Sequence, residues 1–418
     1  MGHLLMVESW VGAMSRLLPR ALREGGHEFT FLTRDLHHYL RNAAEGTRHP
    51  LLGARNVLTW DTHDVDALTA QVARLQPVLR FDGVLTSCDY YLPTAAHLAA
   101  HLGLPGPAPE AVRSACRKDL TRRALQEAGV PGPRFAVCTD WPATAAAARE
   151  IGYPLVIKPV DLCAGMFVRR VDDEAELAAA HRALADFPVN ARGQRRAPQV
   201  LVEELLTGPE VSVESVSFDG LTHVVGVTDK SVAGAPAFIE TGHMFPAALD
   251  PAAAEAAADT ARQAIAALGL DRVVAHTEIK LTPDGPRIVE VNPRPAGNRI
   301  TELVRRVTGI DLAAVLGDLA LGATPDLTPQ DTGLASAAVG FLVPGASGVL
   351  ETVHGAAELA RRPGVLEAQF AEPGTAVQAT ASNNGYLGHV MAGDPTGGGA
   401  RARVEDLLAG VRAEVVAR

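Results

Sequence analysis

The segment His276-Thr-Glu-Ile-Lys-Leu-Thr-Pro-Asp-Gly-Pro-Arg-Ile-Val-Glu-Val-Asn-Pro-Arg294 concentrates the residues best suited to chemistry. Pro283-Asp284-Gly285 suits a three-residue hairpin loop, with Pro at the first central position of a type I turn and Gly285 at the αL bulge position. That loop sets Glu278 opposite Glu290 and His276 opposite Asn292. Side chains alternate along a strand, so all four share one face. Two carboxylates directly opposite on a sheet repel each other. A divalent cation between them turns repulsion into binding, and an oxygen-only set of Glu278, Glu290 and Asn292 suits Mg²⁺. The competing reading is a solvated hairpin face, or one neutralised in part by Lys280. A four-residue loop would flip one strand and break the set. Arg294, between Pro293 and Pro295, can bind a phosphoryl group or a carboxylate bidentately, and Arg299 can assist. A surface salt bridge is the plainer alternative for each.

These residues need a scaffold of considerable size. The chain has 418 residues, enough for two to four domains at roughly 100–200 residues each. Its 47% hydrophobic and 21% charged residues exclude a disordered chain, a collagen and a coiled coil. A net charge of -10 argues against clamping a nucleic-acid backbone, but small anionic ligands need only a few local cations. Cys88, Cys116, Cys138 and Cys163 are far apart and show no zinc spacing. With no basic n-region at the N-terminus and no apolar run of about 20 residues, the expected setting is the cytoplasm.

The first third alternates strand and helix. Leu4–Val7, Phe29–Thr33, Val57–Trp60 and Gly83–Thr86 read as strands, with helices at Met14–Arg23, Asp64–Leu75 and Pro93–Leu102. Such alternation implies a parallel sheet, which binds ligands at the carboxyl ends of its strands. The Pro/Gly-rich stretch Gly103–Pro109 marks a boundary. The middle reads as α+β with antiparallel pairing. Its strands are Arg134–Cys138, Pro154–Pro159, Met166–Arg170, Val200–Leu205, Val211–Phe218 and Leu221–Thr228. Its helices are Ala143–Ile151, Asp173–Ala185 and Pro251–Leu268. Arg192–Arg196 reads as a solvated basic loop. After a linker at Gly322–Gly333, strands are expected at Ala335–Val343, Gly364–Phe370 and Leu387–Ala392, and a closing helix at Val404–Val416.

Along nearly all its length the chain resembles the ATP-grasp ligases. Lys118 stands before a helix. Pro154-Leu-Val-Ile-Lys-Pro159 is similar to the strand carrying the second ATP lysine, and Val202-Glu-Glu-Leu-Leu-Thr-Gly-Pro-Glu210 to the strand that crosses the adenine. Glu290-Val-Asn-Pro-Arg294 is similar to the metal and catalytic strand. The resemblance implies a mixed α/β and α+β fold. A Rossmann-like domain would span residues 1–109 and an ATP-grasp region 110–325, with its ATP-covering lobe near 151–206. A C-terminal α+β domain would span 326–418.

The implied cofactors are ATP and Mg²⁺, as two ions, with Mn²⁺ as a substitute. Lys118 and Lys158 would bind phosphates, Glu203 would face the adenine amino group, and backbone around Glu204 and Leu205 would complete the hinge. Glu210 would hold the ribose. Glu278, Glu290 and Asn292 would hold the metal, and Arg294 the transferring phosphoryl group. The phosphate-covering loop departs from the glycine-rich pattern of many relatives. It reads Val160-Asp-Leu-Cys-Ala-Gly-Met-Phe-Val168, with Gly165 alone.

A finer resemblance is to the L-amino-acid ligases. Gly226–Lys230, Phe238–Pro246 and His276–Glu278 are similar to segments of that branch, as is Gly340–Pro344 in the closing domain. The resemblance implies that Lys230, Glu240 and His243 lie at the substrate. Glu240 would bind an ammonium group, and His243 or His276 would position an amine or accept its proton. The expected partners are a small acid and a small amine, with no nucleic acid and no membrane, and a homodimer is compatible. The expected reaction joins the two at the cost of ATP to ADP, in bacterial specialised metabolism. Two alternatives stay open: a purine-pathway or carboxylase-type enzyme using formate or bicarbonate, and a nucleotide-binding module without turnover.

Overall fold

The computed structural model describes residues 1–40, 48–233, 238–379, 383 and 385–417. The N-terminal segment folds into a four-stranded parallel sheet, order β3-β2-β1-β4, from β1 (His3–Val7), β2 (Glu28–Thr33), β3 (Asn56–Thr59) and β4 (Gly83–Leu85). β1 is buried throughout, as expected of a strand covered on both faces. Met14–Glu24 covers one face with Leu18 and Leu22, and Val65–Leu79 and Leu92–His101 cover the other with Leu68, Val72 and Leu98. The Asp64 side chain caps Val65–Leu79 by accepting from the Ala67 amide. Gly83 has a packing role. A Cβ there would lie 2.1 Å from the Ala320 carbonyl oxygen, so its absence lets helix Leu312–Ala320 close against β4.

A second sheet, antiparallel and ordered β5-β8-β6-β7, forms a lobe of β5 (Phe135–Cys138), β6 (Leu155–Pro159), β7 (Arg169–Val171) and β8 (Val200–Glu204). Helices Trp141–Ile151 and Glu174–Ala185 contribute Ala147, Ala148, Leu177 and Leu184 to its core. Its third strand begins at Arg169. The expected start at Met166 falls in a turned loop, where Ala164, Gly165 and Phe167 all take positive φ.

The largest sheet has eight strands, ordered β13-β12-β9-β10-β11-β14-β18-β16. They are β9 (Glu210–Phe218), β10 (Leu221–Ala233), β11 (Ile239–Phe245), β12 (Val273–Thr282), β13 (Gly285–Asn292), β14 (Ser336–Leu342), β16 (Val365–Phe370) and β18 (Gly388–Asp394). β10 runs five residues past its expected end at Thr228, and pairs with β11 on that extension. β14 pairs with β11, so the sheet runs continuously across residue 325. One face of β12 packs Val273, Ala275 and Ile279 into the core beneath helix Pro251–Ala267. The other face changes character along the strand: Val274 lies in the core of helix Ile300–Thr308, while His276 and Glu278 reach a cavity.

The remaining strands, β15 (Gly348–His354), β17 (Ala376–Val377) and β19 (Arg412–Val416), form a small sheet. The helix expected over Val404–Val416 is corrected here. It spans Ala400–Ala409, stops at Gly410, and the alternating tail pairs with β15 instead.

Candidate functional site

The β12–β13 hairpin presents the expected face by a different route. The loop has two residues, since Thr282 pairs directly with Gly285. The extra residue is Val289, bulged out between Ile288 and Glu290, and it restores the register of Glu278 opposite Glu290 and His276 opposite Asn292. The bulged residue's carbonyl accepts from Arg122 Nη2 at 2.7 Å. All four side chains line a cavity of about 760 Å³, which also takes in Lys118, Lys158 and Arg294.

Lys118 opens helix Lys118–Glu127, and its Nζ lies 2.8 Å from Glu290 Oε1 and 2.6 Å from the Leu162 carbonyl. Arg122 is one turn further on the same helix face. It donates through Nε to Glu203 at 2.6 Å, and Lys158 Nζ reaches the other Glu203 oxygen at 2.6 Å. This corrects the expectation for Glu203. Burial disfavours its charge, but Arg122 and Lys158 outweigh that and hold its pKa down, so both oxygens are committed to cations. Glu204 leans away toward Arg134 (3.4 Å) and Arg287 (3.7 Å), while its residue, Leu205 and Leu206 line the cavity.

A charge ladder crosses the large sheet. Lys280, Glu210, Lys230 and His243 are consecutive cross-strand partners on β12, β9, β10 and β11. Lys230 Nζ lies 3.0 Å from Glu210, 2.9 Å from Glu240 and 2.8 Å from Glu278. Burial opposes the ammonium charge, yet these carboxylates raise its pKa well above the ordinary value. Neither Lys230 nor His243, both expected at the substrate, lines the cavity. They sit behind the cavity wall, and His243 Nε2 lies 3.3 Å from Glu240. Glu240 does line the cavity, held by Lys230 and by Asn298 Nδ2.

His276 also departs from expectation. Nδ1 lies 3.0 Å from Glu214 and Nε2 3.2 Å from Glu278. Burial lowers its pKa, but Glu214 and Glu278 more than reverse this and bring it to about 9. That direction favours the imidazolium at neutral pH, which weighs against the expected proton-accepting role and not against the expected positioning of an amine.

Arg294 is fixed from a distant part of the chain. Its Nε donates to Asp89 Oδ1 at 2.8 Å, and Trp10 Nε1 donates to Asp89 Oδ2 at 2.6 Å. Arg299 reaches Glu302 at 2.5 Å and Glu367 at 3.0 Å from a left-handed backbone with φ 68°. Gly165 lines the cavity within the loop Val160–Val168. Arg122, Asp89, Trp10 and Glu214 escaped the sequence reading. Arg122 had a signal, four residues after Lys118, and Asp89 had another, just past a parallel strand's carboxyl end.

Glu278, Glu290 and Asn292 offer only oxygen and open to the cavity, which fits a hard cation that keeps water and phosphate as further ligands. Among the described residues no group of three His, Cys, Asp or Glu side chains encloses a metal alone.

Residues 151–302 match the ATP-grasp domain family, residues 20–106 the ATP-grasp N-terminal domain and residues 340–416 the L-amino acid ligase C-terminal domain 2. Protein y4rH of Sinorhizobium fredii, an uncharacterised protein, is 30% identical over 338 residues, covering 80% of this chain and 69% of that one. The alanine–anticapsin ligase of Bacillus amyloliquefaciens is 28% identical over 64% of this chain and 61% of its own length. Carnosine synthase 1 of Gallus gallus is 35% identical over 60% of this chain but only 28% of its own length. The crystal structure of an L-amino acid ligase from Bacillus licheniformis superposes with a TM-score of 0.82, covering 100% of this chain and 99% of that chain at 24% identity. Fold and site together define an ATP-grasp enzyme. Within that family the chain belongs to the L-amino-acid ligase branch.

Proposed function

We propose that the protein is an ADP-forming ligase that activates a carboxylate, of an amino acid or a related acid, and joins it to an amine. The observation that carries this reading is the convergence on one cavity of two phosphate-binding candidates, Lys118 and Lys158, with the opposed carboxylates Glu278 and Glu290 and with Arg294. The L-amino acid ligase C-terminal match and the ligase relatives support it over a one-carbon acid as substrate. The intact acidic and basic set supports turnover over a passive nucleotide-binding role.

In this reading Lys118 and Lys158 hold the ATP phosphates, the strand Glu203–Leu205 borders the adenine, and Glu210 lies toward the ribose. Glu278, Glu290 and Asn292 hold one or two Mg²⁺ ions, with Mn²⁺ able to replace them. Bound there, the metal neutralises phosphate oxygens. Phosphoryl transfer asks the protein mainly for positioning and charge neutralisation. The acid's carboxylate oxygen attacks the γ-phosphorus, the bond to ADP breaks, and an acyl phosphate forms beside Arg294. An amine then attacks the acyl carbon, the bond to phosphate breaks, and phosphate leaves carrying the proton that the amine gives up. Asp89 holds the guanidinium in place for both steps, and Glu240 offers a carboxylate to an ammonium group.

We further propose the domain division at residues 109 and 325, the second falling between parts that share one continuous sheet, and a cytoplasmic site of action, in bacterial specialised metabolism. All four thiols are free, which supports a reducing compartment. No helix among the described residues is long and apolar enough to cross a membrane.

A matrix of acids and amines with ATP and Mg²⁺, read by phosphate release and product mass, tests the reading. Expected products are ADP, phosphate and an amide. Recovery of AMP and pyrophosphate would overturn it.

A further inference from the structure

At the end of the cavity formed by the N-terminal domain stands Arg192, a residue that the reaction scheme leaves unused. It sits at the tip of a loop on the ATP-covering lobe, closed by the bridge Val189↔Arg195. The loop is built to hold a fixed shape. Asn190 Oδ1 accepts from the amides of Arg192 (2.9 Å) and Gln194 (3.1 Å), and Gly193 takes φ +79°. The tip crosses to the N-terminal domain. Arg192 donates through Nη2 to the Ser9 carbonyl and lies 5.2 Å over the Tyr39 ring, while Gln194 Nε2 reaches the Tyr90 carbonyl at 3.4 Å.

Two observations make this end electropositive. First, Arg192 is 8% exposed, lines the cavity and, among the described residues, has no carboxylate within salt-bridge distance. Among the described residues every other Lys or Arg lining the cavity has one: Lys118 has Glu290, Arg122 and Lys158 share Glu203, Lys280 has Glu210, Arg294 has Asp89 and Arg299 has Glu302. Glu8, which accepts from the Tyr39 hydroxyl, is a favourable charge for Arg192 at longer range, but its oxygens are taken by Thr33, Thr62, Tyr39 and the Arg34 amide. Second, helix Met14–Glu24 starts at the same cavity wall, with Gly12, Ala13 and Met14 lining it. It has no side-chain cap and no acidic residue in its first turn. A helix N-terminus favours negative charge, and a buried cation with no contacting carboxylate among the described residues does so more strongly. Both stand past the carboxyl end of β1, where a parallel sheet receives ligands.

We propose that Arg192 and the start of helix Met14–Glu24 bind the carboxylate that the reaction does not activate. This rests on the ligase reading above. Such a group has two sources: the acceptor's own carboxylate, when the amine is an amino acid, or a second acid group on the donor. Arg192 reaches it from the lobe that covers ATP, so its binding also ties that lobe to the N-terminal domain.

The test compares kcat/KM for matched pairs that differ only in the spare carboxylate. The acceptor pair is L-alanine and L-alaninamide, and the donor pair is L-aspartate and L-asparagine. The wild-type protein is expected to prefer the carboxylate member of one pair by roughly 10–100-fold, the scale of a charge-assisted hydrogen bond. The pair that discriminates identifies the source. Arg192→Gln should bring that ratio toward unity, Arg192→Lys should restore part of it, and Gln194→Ala in the same loop should leave the ratio as it is. A wild-type ratio near one in both pairs overturns the proposal. So does an Arg192→Gln variant that loses both members equally, which would make Arg192 a strap between domains and nothing more. Calorimetric binding of the same four compounds with a non-hydrolysable ATP analogue gives the preference without turnover. Carboxylate-selective binding there, with no amide product from any pair, would sink the ligase reading and leave the anion site standing.

Discussion

Two buried ion clusters border the cavity and are nearly opposite in charge. In one, Glu203 lies between Arg122 and Lys158: two cations and one carboxylate, net +1. In the other, Lys230 and Lys280 lie among Glu210, Glu240 and Glu278, and the His276 imidazolium offsets Glu214, which leaves net −1. In each the central group is deeply buried among opposite charges, although the carboxylates around Lys230 are more open than the cations around Glu203. What differs is the charge left over, and that remainder points to what each attracts. The first suits phosphate oxygens. The second suits a divalent cation or an ammonium group, with Glu278 and Glu240 turned to the cavity.

The comparison breaks most visibly at its negative centre. Lys230→Met removes the one cation that Glu210, Glu240 and Glu278 share, leaving Lys280 and His276 at the edges of the cluster, and removal of one partner from such a cluster costs about 3–5 kcal/mol. Urea unfolding without metal should show that loss. A midpoint within error of wild type would mean that water already reaches the cluster and that its net negative charge has no structural weight.

Arg294→Lys tests the space between the clusters. Lys keeps the charge but loses the planar fork and the geometry of the Asp89 contact. Single-turnover ligation should fall by ~100–1000-fold, the usual cost of a misplaced donor at developing charge. ATP affinity, set by the positive cluster, should fall much less. A parallel fall in both would make Arg294 part of the ground-state nucleotide site.

The pH dependence of stability follows from His276, which extends the negative cluster. Its pKa rises from 6.5 to about 9 on folding. The charged imidazolium therefore contributes its full stabilisation below pH 6.5, and this is lost as pH rises through 9. The total is about 3 kcal/mol. Unfolding of the metal-free protein should become easier across that window, and His276→Gln should flatten the profile. An unchanged slope in the variant would assign the effect elsewhere.

The smallest effect belongs to the positive cluster. In Lys158→Met, Arg122 still pairs with Glu203, so no charge is orphaned. Loss of one charged hydrogen-bond donor should weaken ATP binding by about 1.5–3 kcal/mol with little change in stability. A destabilisation matching that of Lys230→Met would show that the two clusters do not differ as their charges suggest.

Some of this was legible in the chain alone because it depends on local period. Alternation put His276 and Glu278 on one face of a strand and Glu290 and Asn292 on the facing strand. Alternating strands and helices gave the parallel sheet, and motif order gave the family. The hairpin shows the limit of such reasoning. Its register came out as expected although the loop is shorter, because the bulge at Val289 compensates. No local pattern requires that bulge; Arg122, on a helix far along the chain, takes its carbonyl.

Side-chain partners lay beyond that limit. Glu203 looked available to a nucleotide until the fold brought Arg122 to it across 81 residues. His276 looked like a titrating base until Glu214, 62 residues away, held its proton in place. Arg294 found Asp89 at a separation of 205 residues. Residue spacing along a strand or helix fixes direction, and so the sequence by itself determined which groups face the cavity. Their charge state depends on burial and on neighbours from other elements, and only the tertiary structure decided those.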